Sequence, residues 1–216
     1  MRVYKFLSTR WAMDNLEKRW LKASDPENLN DPFDFLAVDM TDSSYRQQVL
    51  DRLKLVLSDK VLCCFSNAAT DPLLWAHYSD CHRGICLAFE IDDHVAGRMR
   101  EVKYVGKRLT PAQVQTNSSV AELLFIKFAA WSYEGEVRAF LPRDKSAAAG
   151  ELTFIPFDTD LVLKDVILGH KCTSNVADVN SKLVGYPFDI TVLRAHPSLS
   201  DFRMHLTMER DSANSE

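Results

Sequence analysis

No stretch of about 18 consecutive apolar residues occurs in the chain, so no segment has the length and character of a membrane-spanning helix. Charge of one sign is not in excess either: 26 Lys and Arg stand against 30 Asp and Glu, a formal charge of -4. Such a balance exerts no general pull toward nucleic acid or anionic lipid. The opening MRVYKFLSTRW lacks a continuous apolar region and a small-residue cleavage site, and reads as mature protein rather than a secretory signal. Cysteine is scarce and odd in number, with five residues at 63, 64, 81, 86 and 172 and no CxxC pair. That argues against a disulfide framework and for reduced thiols in a cytoplasmic compartment. Walker, GxGxxG, GxSxG and HExxH signatures are missing, as is any nucleic-acid-binding fingerprint. Internal repeats and long linkers are missing too.

What is present is a core. Hydrophobic residues at 46% and aromatics at 10% of 216 residues, four of them tryptophan, suffice for one globular domain over 1–208, with a polar, disordered tail over 209–216. Arg2 to Phe6 reads as a strand. Ser8 or Thr9 caps a helix carrying Ala12, Met13, Leu16 and Trp20 at helical spacing. A second helix is predicted over Ser43 to Leu57, with Tyr45, Val49, Leu53 and Val56 on one stripe. Val61 to Phe65 reads as a buried strand, and Thr70 as the cap of a helix running to about Cys81. GICLAFEI is the clearest strand, with Met99 to Val105 as its expected neighbour.

Residues 106–119 read as a polar mobile loop, and AELLFIKFAAW as an apolar helix from Val120 to Trp131. EVRAFL, ELTFIPF, VLKDVILG and FDITVLRA read as strands, DKSAAAG as a charged loop, and Asp201 to Met208 as an edge strand. A helix capped by Ser174 precedes Gly185. The pattern predicts an α+β fold with a mixed or mainly antiparallel sheet and packed helices.

Four blocks in order, YKFLS, ASDPENLNDPFD, CCFSNAATDPLLWAHYSDCHRGICLAFE and KFAAWSYEGEVRAF, together with the later VILGHKCTSN, resemble the bacterial family known as domain of unknown function 2971. In outline that pattern is similar to small ADP-ribosyltransferase domains. The resemblance implies an ADP-ribosyltransferase-like fold and NAD, as a substrate, or another nucleotide as ligand. It places Tyr4 on the first strand, Asn30 to Phe33 on a loop covering the ligand, and a catalytic Glu at Glu136. Where such domains carry an Arg or His on the first strand, this chain offers only Arg2 and Lys5 nearby. A macromolecular acceptor is left open. A binding module without turnover, in a phage-defence or stress setting, is the alternative.

Each candidate residue has a functional and a structural reading. Glu136 can hold a ribose hydroxyl and offset positive charge on an oxocarbenium-like transition state; it can also form a simple ion pair with Arg138 on an exposed strand face. Asn30 and Asp31 can hold a ligand or, together with Asp34, hold a turn through their own backbone, while Phe33 can stack on a base or nicotinamide ring. In WAHYSDCHRG, His77 is the natural acid or base, Trp75 and Tyr78 are ring platforms, and Arg83 beside His82 offers a phosphate bidentate donors. His77 and Cys81 would share a helical face. His77, Cys81, His82 and Cys86 are zinc-type ligands, but their spacing is poor, and no metal is expected.

Overall fold

A computed structural model describes residues 1–117, 120–143 and 152–209. Its elements in chain order are β1 (Arg2–Leu7), α1 (Thr9–Lys18), β2 (Trp20–Lys22), α2 (Ser43–Leu57), β3 (Lys60–Ser66), α3 (Pro72–Tyr78), β4 (Ile85–Ile91) and α4 (Asp93–Ala96). There follow β5 (Met99–Glu101), β6 (Lys103–Val105), α5 (Pro111–Asn117), β7 (Ile126–Phe128), β8 (Glu136–Pro142), β9 (Phe154–Pro156), β10 (Leu161–Leu168), α6 (Val176–Lys182), β11 (Thr191–Pro197) and β12 (Met204–Met208). This is an α+β fold with a mixed, mostly antiparallel sheet and several packed helices. Among the described residues no helix is long and apolar enough to cross a membrane.

The chain divides into two compact units. Unit 1 holds Met1–Leu21, Phe65–Gly97 and the chain from Phe154 onward; unit 2 holds Lys22–Cys64 and Arg98–Thr153. In unit 1 the strands lie in the order β12-β11-β10-β4-β1. Only β10 and β11 run parallel, pairing Asp165 with Thr191; the other neighbours are antiparallel. β4 is the central strand. Ile85 through Phe89 are buried without a break, so Cys86 and Ala88 are covered as fully as Leu87 and Phe89. Burial on both sheet faces replaces the half-exposed alternation the sequence suggests.

Unit 2 has the strand order β3-β8-β5, with Met99 opposite Ala139, and a separate parallel pair in which β6 Lys103 meets β7 Ile126. Its core gathers Phe35, Val38, Val49, Leu53, Leu62, Leu123 and Ile126. α2 begins where the Asp42 carboxylate accepts the Tyr45 N–H, and its Val49 and Leu53 stripe faces that core.

Several elements differ from expectation. AELLFIKFAAW is not a helix: Val120–Phe125 and Ala129–Glu134 are 3-10 turns on either side of β7. Pairing with β6 overrides the local helical pattern there, an ambiguity inherent to short apolar runs. The expected strand over 99–105 breaks at Val102, whose N–H donates to the Glu136 carbonyl, and β5 pairs with β8 rather than β4. The expected loop over 106–119 contains α5. Thr110 and Gln113 bond each other's backbone N–H groups as a capping box, with Pro111 at the first helical position.

Asp71, not Thr70, caps α3, and Asn175, not Ser174, caps α6. α3 stops at Tyr78 because Asp80, Cys81 and His82 all take left-handed backbone, with φ of 48, 52 and 68°. Cys81 therefore lies off the helix and shares no helical face with His77. The expected loop at 144–150 and the tail from 210 lie outside the described residues.

Candidate functional site

Unit 2 contains a buried network of opposite charges. Arg138, on β8, is fully buried, and its guanidinium grips the Glu136 carboxylate with two hydrogen bonds of 2.8 and 2.9 Å. It also donates to Asp34 at 2.5 Å and to the Leu124 carbonyl at 2.7 Å. Lys127, on β7, is equally covered and reaches Glu134 at 2.6 Å, Glu136 at 3.2 Å and Asp34 at 3.9 Å. The Lys127 ammonium also lies 4.9 Å from the Trp131 ring centre, and the Arg138 guanidinium 5.3 Å from that of Phe35. The Glu136 N–H donates to the Tyr104 hydroxyl.

Each ionisation state follows from these contacts. Burial works against a charge on Glu136, yet the hydrogen bonds and charge of Arg138, the charge of Lys127 and the Cys64 thiol outweigh it. Its pKa falls to about 2. Burial also opposes the charges on Arg138 and Lys127, and their acidic partners more than reverse that, raising both. Asp34 goes the other way, because burial exceeds the pull of Arg138 and Lys127 and its pKa rises. Asp34, Glu134 and Glu136 face two cations, which leaves one negative charge in excess. Asp34 takes a proton before Glu136 does. Tyr104 is pushed up to about 12 by burial, with the Glu136 and Glu134 charges adding to it.

Beside this network unit 2 has a mostly apolar cavity of about 270 Å³, lined among others by Phe33, Leu36, Val105, Lys107, Arg108 and Phe128. Phe33 and Phe128 are both about half exposed, at 56% and 51%. The Arg108 guanidinium stands 5.4 Å from the Phe33 ring centre. Three backbone segments serve both features. Asp34, Tyr104 and Lys127 join the charge network, and their chain neighbours Phe33, Val105 and Phe128 line the cavity. On β7 this is the ordinary alternation of strand side chains. The Asp31 carboxylate accepts the Phe33 N–H at 2.9 Å and fixes the turn, while its second oxygen has no hydrogen-bond partner among the described residues. Phe35 follows with φ of 66°, a strained position for a bulky residue.

The site residues expected from sequence are distributed as follows. Asn30, exposed, shares the turn of Asp31 and Phe33. Glu136 and Arg138 form the anticipated pair, but not on an exposed face: both are buried, at 5% and 0% exposure. Arg138 thus has its guanidinium committed to protein partners rather than to a ligand. In unit 1, Trp75 is a core residue rather than a ligand platform. It is fully buried, its indole N–H donates to the Ala69 carbonyl at 2.7 Å, and its ring meets Phe6 edge-on.

His77 and Tyr78 are exposed and half-buried at the end of α3, their ring centres 6.4 Å apart. Tyr4 is half-buried on β1, opposite Ser66 and Ala88. Arg83 is exposed in the turn before β4. Glu136, Asn30, Asp31, Phe33 and Arg138 therefore belong to unit 2, and Tyr4, Trp75, His77, Tyr78 and Arg83 to unit 1.

Sequence reasoning missed Lys127, Tyr104 and Phe128, and read Lys107 and Arg108 only as part of a small basic spot. A lone lysine inside an apolar run, followed by two glutamates, was the available signal for the first. None of the five cysteines is in a disulfide, and burial pushes the Cys86 thiol well up. Among the described residues no group of three or more His, Cys, Asp or Glu is placed to hold a metal ion. Comparison of the chain with protein-family models, with curated proteins and with solved structures finds no match.

Proposed function

We propose that unit 2 is a binding module for a small ligand combining a flat ring with an anionic group, the chemistry of a nucleotide. One observation carries the reading: two half-exposed phenylalanines, Phe33 and Phe128, line the same cavity as the cations Lys107 and Arg108. Aromatic rings left open to solvent in a concave site offer stacking surfaces, worth about 1–3 kcal/mol per base. Neighbouring cations select a ligand with negative charge. The cavity, at about 270 Å³, lies at the small end of ligand pockets, which favours one nucleoside monophosphate over a whole dinucleotide. The sequence resemblance to domain of unknown function 2971, with its ADP-ribosyltransferase-like outline, supports the same ligand class. The charge network braces the cavity walls from behind.

A second reading, transfer of ADP-ribose from NAD, is favoured by the state of Glu136. Arg138 and Lys127 hold it ionised, the form that stabilises an oxocarbenium-like sugar. Its low exposure and full set of partners weigh toward a structural duty, so binding without turnover is the conclusion.

Calorimetric titration with AMP and with NAD tests the first reading. AMP is expected to bind, and Phe33→Ala to weaken it about tenfold, in line with a lost stack. Gly106 lines the cavity and a Cβ there would meet nothing within 4 Å, so a side chain can start there without a clash, and Gly106→Trp, with an unchanged thermal midpoint as its folding control, should abolish binding. Binding that ignores Gly106→Trp would remove the site from this cavity. Release of nicotinamide from NAD, lost in Glu136→Gln, would establish the second reading instead.

A further inference from the structure

Unit 1 carries a second charged feature, built from two turns far apart in sequence. The first is Asp80-Cys81-His82-Arg83, three of whose residues are left-handed in succession. Strain of this kind in non-glycine residues survives only where surrounding structure holds it, and it concentrates at functional sites. The holding contacts are specific. The N–H groups of His82, Arg83 and Gly84 donate to Trp75, Asp80 and Ser79 carbonyls, and the Thr9 hydroxyl donates to the Arg83 carbonyl at 2.7 Å.

The second turn, Gly169-His170-Lys171-Cys172, is tied to the first by Lys171 N–H to the His82 carbonyl and Gly169 N–H to the Gly84 carbonyl, both 2.9 Å. The approach is too close for side chains: a Cβ on Gly169 would lie 2.3 Å from the His82 oxygen, and one on Gly84 2.1 Å from that of Leu7. Arg194 closes the second turn from inside, donating to the Gly169, Cys172 and Ser174 carbonyls while paired with Glu209.

With the backbone tied down, the outward side chains include several basic groups beside the exposed Asp80 and Cys81. Arg83, His170 and Lys171 are exposed, and His82 is half-buried near both His170 and Lys171. The His196 ring, from β11, lies 6.0 Å from that of His170, and His205 stands opposite His196 on β12. Two acids lie against these turns: Asp80 is 3.9 Å from Arg83, and Glu209 is paired with Arg194 behind the second turn. This concentration of basic groups occurs in a chain whose formal charge is -4. Two short turns are too small to track a nucleic-acid backbone, which takes many phosphate contacts.

We propose that these paired turns form a binding site for the phosphate group of a small metabolite, with Lys171 and Arg83 supplying charge and His82 and His170 supplying directed N–H donors. The site is independent of the unit 2 cavity. Its ligand is free phosphate or a phosphate ester, and the shared chemistry is the oxyanion.

The test is a titration of the full-length, isotope-labelled protein with inorganic phosphate and, separately, with ribose 5-phosphate. It is followed by NMR through the His82 and His170 ring signals against sodium chloride of equal ionic strength. Saturable movement of those signals with either probe, absent with chloride and without movement at Phe33 or Phe128, is expected. Tighter binding of ribose 5-phosphate assigns an ester as ligand; equal binding assigns the bare phosphate. Lys171→Glu should weaken binding about tenfold or more while the thermal midpoint holds, and Lys171→Arg should retain it. No saturable shift at tens of millimolar, roughly the strength of a non-specific surface contact, or binding indifferent to Lys171→Glu, overturns the proposal.

Discussion

Two clusters of charge in this molecule behave in opposite ways. In unit 2, Lys127 and Arg138 are covered and surrounded by three carboxylates and a carbonyl. In unit 1, Arg83 and Lys171 are open to solvent on turns whose backbone is tightly bonded. In the first cluster side chains hold the backbone; in the second the backbone holds the side chains. Residue type alone does not separate structure from site. What separates them is whether the hydrogen-bonding capacity of a charged group is consumed inside the protein. A buried charge must be paired, and removing its partner leaves an uncompensated ion in a poor solvent. An exposed charge on a rigid turn remains available to a ligand.

The largest expected effect breaks the comparison directly. Lys127→Met leaves Glu134, Glu136 and Asp34 facing Arg138 alone and should destabilise the protein by about 3–5 kcal/mol. Lys171→Met, at an exposed position, should stay within about 0.5 kcal/mol. Urea denaturation of the two variants measures both. Equal losses would mean that the two clusters are not different in kind.

Acid sharpens the same contrast. Glu136 has a folded pKa depressed to about 2 from its ordinary 4.5. Its stabilisation is therefore complete above about pH 4.5 and is lost as pH falls toward 2, and the difference corresponds to about 3 kcal/mol. Asp34, with a raised pKa, takes up its proton earlier in the folded than in the unfolded chain and offsets part of that loss. Thermal midpoints measured from pH 7 to 2.5 should fall below pH 4.5, and Glu136→Gln should flatten that fall. A midpoint that falls just as steeply in the variant would take Glu136 out of the account.

The sequence shows one half of this contrast more readily than the other. Helix α2 is legible because its apolar stripe is local, and β4 is legible by its composition. The pairing of Glu136 with Arg138 is legible because strand residues two apart share a face. Asp34 is separated from Arg138 by 104 positions, so no periodicity connects them. Lys127 is hidden by an apolar run that imitates a helix. Burial was the missing quantity throughout: it turned Trp75 from a ring platform into core and moved the Glu136–Arg138 pair from an exposed strand face to the interior. The capping box of α5, Thr110 to Gln113, was readable and outweighed by the polar composition around it.

A smaller effect probes the cavity between these extremes, where cations border an apolar wall. Arg108→Ala should weaken AMP binding by roughly 1 kcal/mol, a factor of about five, because its guanidinium is partly solvated and lies against the Phe33 ring. Calorimetry in low and high salt separates its two contributions. A loss that vanishes at high salt assigns the effect to charge, and one that persists assigns it to the stacked guanidinium.

The smallest effect lies in a single proton on unit 1. Burial, with Lys171 and His170 beside it, pushes the His82 pKa below its ordinary 6.5. A base with a depressed folded pKa binds fewer protons folded than unfolded. Its contribution is therefore fully present above the unfolded value and is lost as pH falls from there through the lower folded one. The NMR titration midpoint of His82 should thus lie below 6.5, and Lys171→Glu should move it upward by replacing a repelling charge with an attracting one. If Lys171→Glu leaves the midpoint where it was, burial alone governs His82, and the two turns do not share an electrostatic environment. If the midpoint rises, the turns act on one another through space as well as through their backbone bonds, as a common anion site requires.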